Sequence, residues 1–189
     1  MEDLATNYLV STRKQFRYYQ LLGTRTLAQL TDAQLDESPG SESNSIARIV
    51  DHLHGNMRSR FTDFWTSDGE KPWRDRESEF GTAFVDRADV ERKWTEGWQI
   101  VFGVLDAVQP DQLTRLVYIR QQGHTALEAI NRQLAHYAYH VGQMAYLGKQ
   151  LRGADWESLS IPKGGSAAFN AAKKATGKVR GHYTDEFTG

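Results

Sequence analysis

The chain has 189 residues, 23 Lys and Arg against 24 Asp and Glu, a formal net charge of −1 and no cysteine. That length suits one domain with or without a tail, burying roughly 70% of its unfolded surface, and the charge balance removes the electrostatic case for a nucleic-acid or membrane-surface protein. The lack of Cys removes disulfides, thiolate metal sites and a cysteine nucleophile of the chain's own.

Leu4, Tyr8, Phe16, Tyr19 and Leu22 recur at helical spacing, and Glu2 and Asp3 suit a helix start, so residues 1–22 read as a helix stopped by Gly23. Thr31-Asp32-Ala33-Gln34 is a capped turn, and residues 36–41 have loop chemistry. A second helix is expected from Ser43–Ser45 to about Trp65, with Ile46, Ile49, Val50, Leu53, Met57, Phe61 and Phe64 inward, ending before Asp68-Gly69 and Pro72. Residues 68–85 form a long charged connection, unlike a tight helical hairpin. A third helix spans about Arg87 to Val108, with Trp94 and Trp98 inward, and Leu116–Ile119 reads as a short extended piece. Thr125-Ala126-Leu127-Glu128 is a capping box opening a last helix that reaches about Arg152, with Gly153 as its C-cap.

Four long helical patterns with almost no strand signal predict an all-α four-helix bundle over 1–152, with a long crossover between the second and third helices. Residues 153–189 are expected to be an irregular basic tail, packed on the bundle or extending from it; from 161 onward Lys163, Lys173, Lys174, Lys178 and Arg180 face only Asp185 and Glu186. No apolar run approaches the ~20 residues of a membrane span. The N-terminal stretch, with Arg13, Lys14 and Arg17, lacks the apolar core of a secretory signal, so the expected location is cytoplasmic.

His136 and His140 stand at i and i+4, one turn apart on one helix face, a spacing that lets two imidazoles reach one metal. No Glu follows His136, so the H-E-x-x-H protease arrangement is absent. A third ligand has to come from another helix. The second helix offers His52 and His54, about 200° apart around its axis, with His54 nearer the apolar stripe and His52 on a polar flank with Arg48 and Asn56; helix geometry leaves the choice open. His124 reads as a loop residue and His182 as solvated tail. Arg58, Arg60, Asp63, Arg74, Asp75, Arg76 and Glu77 read as a solvated, salt-bridged surface. Gln143 can serve a metal-bound water or an ordinary interhelical bond.

Asp51-His52-Leu53-His54-Gly55-Asn56-Met57, Asp68-Gly69-Glu70-Lys71, Gln133-Leu134-Ala135-His136 and His140-Val141-Gly142-Gln143, with Leu159-Ser160-Ile161-Pro162-Lys163-Gly164 near the end, resemble the DinB-like superfamily, nearest to its DUF1572-type bacterial subgroup. The resemblance implies a four-helix bundle and a homodimer. It also implies a divalent metal (Zn, Ni or Fe) on the His preceding Leu in the second helix and on two side chains of the last: His52, His136 and His140. Characterised relatives of that superfamily include bacterial thiol S-transferases, so the expected function is a metal-dependent transferase taking a small external thiol and an electrophilic substrate. Chemistry points the same way: three neutral ligands leave the full metal charge to attract a thiolate, and the chain has no sulfur nucleophile of its own. The alternatives are a non-catalytic metal-bearing or partner-binding helical protein, or a metal-dependent hydrolase, for which Asp51 lies off the face of His52.

Overall fold

The computed structural model describes residues 3–81 and 84–188; Glu2, named above as part of a helix start, lies outside them. The chain is mostly helical. It runs α1 (Leu4–Ala28), α2 (Asp32–Asp36), α3 (Ile46–Phe61), α4 (Ser78–Gly81), α5 (Arg87–Ala107), a two-stranded antiparallel hairpin of β1 (Leu116–Ile119) and β2 (Gln122–Thr125), then α6 (Ala126–Arg152), α7 (Ser166–Thr176) and α8 (Asp185–Thr188). No helix among the described residues is long and apolar enough to cross a membrane.

Local chemistry sets most helix starts. The carboxylate of Asp3, the hydroxyl of Ser45 and the carboxylate of Asp86 accept from free backbone N–H groups at the starts of α1, α3 and α5. Reciprocal capping boxes open α2 (Thr31 with Gln34) and α6 (Thr125 with Glu128). Among the long helices, α3 packs on α5, α1 on α6, α3 on α6 and α1 on α5. Phe16, Trp98 and Tyr137, from three of them, interlock edge to face at centroid distances of 5.8–6.3 Å, and all three are fully buried.

Several sequence expectations are corrected. Gly23 does not end α1. A Cβ there would fall 2.3 Å from the Trp94 ring, so this glycine lets α5 approach, and the helix runs on to Ala28. Leu4, placed on the inward stripe, is 86% exposed because it sits in the first turn, beyond the packed length of the helix. Helix α3 stops at Phe61, with Asp63 in the left-handed region, four residues before the expected end. His124 is in a strand, paired with Val117, rather than in a loop.

The tail is irregular only in part: between non-helical stretches it holds α7, whose residues are largely exposed, and α8, which docks on α1. Tyr18 meets Tyr183 and Phe187, and Lys14 pairs with Asp185 at 2.6 Å. His182 is half-buried, its Nε2 3.0 Å from the Ser11 hydroxyl. The end of the tail docks where Tyr183 and Phe187 meet the Tyr18 ring of α1, a contact that composition does not reveal.

Candidate metal centre

Helix α6 carries Arg132, His136, His140 and Gln143 at steps of four, four and three, which stacks them along one face. Helix α3 presents His52 to that face. The three imidazoles bring one ligand atom each to within 4.8 Å of one another. His136 Nε2 lies 3.3 Å from His52 Nε2 and 3.0 Å from His140 Nε2.

The opposite edges of two rings are held. His52 Nδ1 is 3.0 Å from Glu79 Oε2 and His140 Nδ1 is 2.8 Å from Gln143 Oε1; each acceptor places the ring proton on Nδ1 and leaves the Nε2 lone pair facing the cluster. Burial, then the neighbouring imidazoles, push the His136 pKa down to about 3; burial, then His52, push His140 to about 4. Near neutral pH these two are therefore uncharged, so neither adds a positive charge that would oppose a bound cation. Two nitrogens bound about 2.0–2.1 Å from one tetrahedral ion sit about 3.3–3.4 Å apart, close to the spacings seen. The donor set fits a divalent ion.

His54 turns away from this cluster. Its Nε2 is 3.3 Å from a Glu96 oxygen without making a hydrogen bond, and burial lowers its pKa despite that carboxylate. Asp51 is also directed elsewhere, pairing with Lys93 of α5 at 2.5 Å.

The crossover at 62–86 supplies what the helices lack. Phe80 stacks on His52 at 5.0 Å, and Glu79, 8% exposed, bridges His52 to Arg74, whose Nε and Nη2 donate to it at 2.7 and 2.9 Å. Burial pushes the Glu79 carboxyl up, but the His52 and Arg74 contacts outweigh it and hold the pKa below the ordinary value. Gly55 makes room: a Cβ there would stand 2.1 Å from Glu79 Oε1. The sequence does not display this carboxylate–histidine pair because its members are 27 residues apart and Glu79 lies in the charged connection 68–85, where a carboxylate looks like surface. The only textual trace was Gly55 one turn after His52, a glycine in mid-helix.

The charged run from Arg58 to Glu77 is corrected for its arginines. Arg60 and Arg74 are buried, Arg60 donating to the Gly69 carbonyl and, at 3.1 Å, to Glu70. Asp68 explains the Asp68-Gly69-Glu70 motif. Its carboxylate accepts from the N–H groups of Glu70, Arg120 and Gln121 at 2.7–2.8 Å. Arg120 and Gln121 are the two turn residues of the hairpin, both at positive φ (55° and 63°), an arrangement that non-glycine residues adopt only when held. Asp68 pins that turn, and Arg120 then reaches Glu70 at 2.8 Å. Above the histidines these elements enclose an open pocket of about 570 Å³, lined by the cluster together with Asn56, Gln133, Tyr139 and five arginines.

Fold and site together define a mostly helical protein with a three-histidine group able to hold a metal ion. The chain belongs to the family described as protein of unknown function (DUF1572), whose model matches residues 3–165. No curated protein matches it.

Proposed function

We propose that His52, His136 and His140 hold one divalent transition ion, and that the protein is a metal-dependent transferase joining an external low-molecular-weight thiol to an electrophilic small molecule. The reading of α1, α3, α5 and α6 as a DinB-like four-helix bundle, with the site at an open end, belongs to the same proposal. The observation that carries it is the convergence of three Nε2 atoms within 4.8 Å, two of them with the far ring edge fixed by an acceptor.

A divalent ion bound there supplies a Lewis acid that keeps a thiol as thiolate near neutral pH. Zn, Ni and Fe all accept three imidazoles. The chain's own residues do the rest. Glu79 and Gln143 fix the tautomers and orientations of His52 and His140, Arg74 keeps Glu79 ionised, and Phe80 covers one face of His52 against water. Transfer forms one carbon–sulfur bond, breaks one bond from that carbon to an anionic leaving group, and releases the thiol proton to solvent. No carboxylate is among the residues lining the pocket, which favours this route over hydrolysis, since a thiolate needs no general base.

The test is elemental analysis of protein purified without chelator or nickel resin, followed by turnover of a chloro-dinitroarene with a panel of bacterial thiols in metal-loaded and chelated samples. About one equivalent of metal is expected, with conjugation only in the loaded sample. His52→Ala, His136→Ala and His140→Ala should each lose both while keeping helical circular dichroism. Less than about a tenth of an equivalent, unchanged on reconstitution, sinks the site. Stoichiometric metal with no rate above the uncatalysed reaction removes the transferase and leaves a non-catalytic metal-bearing protein.

A further inference from the structure

The chain as a whole is nearly neutral, but the pocket is not. Arg60, Arg74, Arg76, Arg120 and Arg132 line it, and no Asp or Glu is among the lining residues. The carboxylates behind them do not balance the charge. Glu79 is taken by Arg74 and His52, Glu70 is shared by Arg60 and Arg120, and the third, Glu77, is 90% exposed and 3.8 Å from Arg76. In ion pairs these five guanidiniums meet three carboxylates, one of them in solvent, and Asp68 lies near Arg60 as a fourth, so five positive charges face four negative ones before any ion is counted. Water screens them only in part, because a concave site with low-dielectric walls focuses the field.

The more exposed of these charges sit at the rim, on three different elements. Arg132 is one turn before His136 on the same face of α6, is exposed, and takes part in no ion pair among the described residues. Arg76 lies over Phe80 at 5.5 Å, and Phe80 stacks on His52, which places this guanidinium beside the cluster on the crossover side. Arg120 is aimed into the pocket by the pinned hairpin turn, with one side of its guanidinium used by Glu70. Buried beneath them, Gln133 has a side-chain oxygen with no hydrogen-bond partner, and Asn56 accepts from the Tyr137 hydroxyl, so its amide N–H groups remain to donate.

We infer that this pocket binds a small molecule bearing carboxylate or phosphate groups, held by the rim arginines Arg76, Arg120 and Arg132 with its other end toward His52, His136 and His140. Guanidinium forks match the paired oxygens of either group, which a single ammonium does not. The inference deepens the proposed function and rests on the reading of this pocket as the place where substrate meets the histidines, although its charge argument applies to the pocket without an ion.

The experiment is calorimetric titration of inorganic phosphate, succinate and neutral succinamide into metal-loaded and chelator-stripped full-length protein, for the wild type, Arg76→Ala/Arg132→Ala and Arg132→Glu. Both arginines are exposed, so circular dichroism should be unchanged in these variants. At least one of the two dianions should bind both forms of the wild type, weakening with added salt, and succinamide should not. Affinity should fall about tenfold for each arginine removed, and further on charge reversal. Phosphate and succinate arms separate the two anion chemistries, either of which supports the inference. Equal affinity in wild type and variants, or equal affinity for succinate and succinamide, overturns it. A chain that takes no metal yet binds the dianion through these arginines loses the transferase reading and keeps the anion site. A chain that holds one ion and binds no dianion in either form loses only the anion site.

Discussion

Replacing Glu79 tests whether the histidine cluster is built to hold an ion. Its carboxylate contacts His52 Nδ1 at 3.0 Å and Arg74 at 2.7 and 2.9 Å, and the Arg74 side chain is only 2% exposed. Glu79→Ala therefore does two separable things. It strands a buried guanidinium, which costs about 3–5 kcal/mol of folding stability, a large share of the roughly 5–15 kcal/mol a domain possesses. It also frees the His52 ring to rotate and to change tautomer. Glu79→Gln keeps the shape and one acceptor oxygen but drops the charge, so it leaves Arg74 without its counter-ion while the His52 ring can still be held, and comparing the two variants separates the effects. Losing such an outer partner lowers metal affinity about 10–100-fold, or about 1.4–2.7 kcal/mol. The assay is zinc competition against a chromophoric chelator on protein confirmed folded by circular dichroism, beside urea unfolding of the chelated samples. Glu79→Ala binding zinc as tightly as wild type would show that the Glu79–His52 contact does not orient the ring for an ion, and the argument from convergent, oriented imidazoles would fail with it.

Gly55→Ala should push Glu79 away without altering any charge, because the added methyl would lie 2.1 Å from its oxygen; net destabilisation of about 1–2 kcal/mol is expected once the helix gain of alanine is subtracted, together with weaker zinc binding, and a variant that is more stable than wild type would refute the close approach. His54→Ala should leave zinc affinity unchanged while His52→Ala abolishes it, read by the same competition; the reverse order would assign the wrong histidine of α3. In the metal-free protein, burial and the neighbouring imidazoles hold His136 at about 3 and His140 at about 4. The unfolded chain takes up protons below about pH 6.5 that the folded one refuses. Stability should be fully present above pH 6.5 and fall as the pH drops toward 4, by at most about 1.4 kcal/mol per unit for each histidine and less where solvent screens the half-open site. Urea midpoints of chelated protein across that range check this, and a flat profile contradicts it.

The amino-acid sequence alone determined the parts whose causes are local. Apolar residues at helical spacing and side chains able to cap free N–H groups specified where α3, α5 and α6 begin, and the capping box at Thr125 and Glu128 formed as written. The four-residue step from His136 to His140 put both on one face of α6 by helix geometry alone. His52 over His54 was reached only through the family resemblance, since a helical wheel knows what is apolar but not which neighbour arrives. The tertiary structure decided the rest. The flank of α3 carrying His52 and Asn56 is buried because α6 and the crossover close over it, and Glu79 and Phe80 meet His52 only after the chain has left α3 and returned. Arg60 and Arg74, each indistinguishable in sequence from surface charge, are buried because Glu70 and Glu79 come to meet them. A charge is cheap to bury only beside its partner, and partners 5–27 residues away along an irregular crossover follow from packing, with no period for the sequence to display.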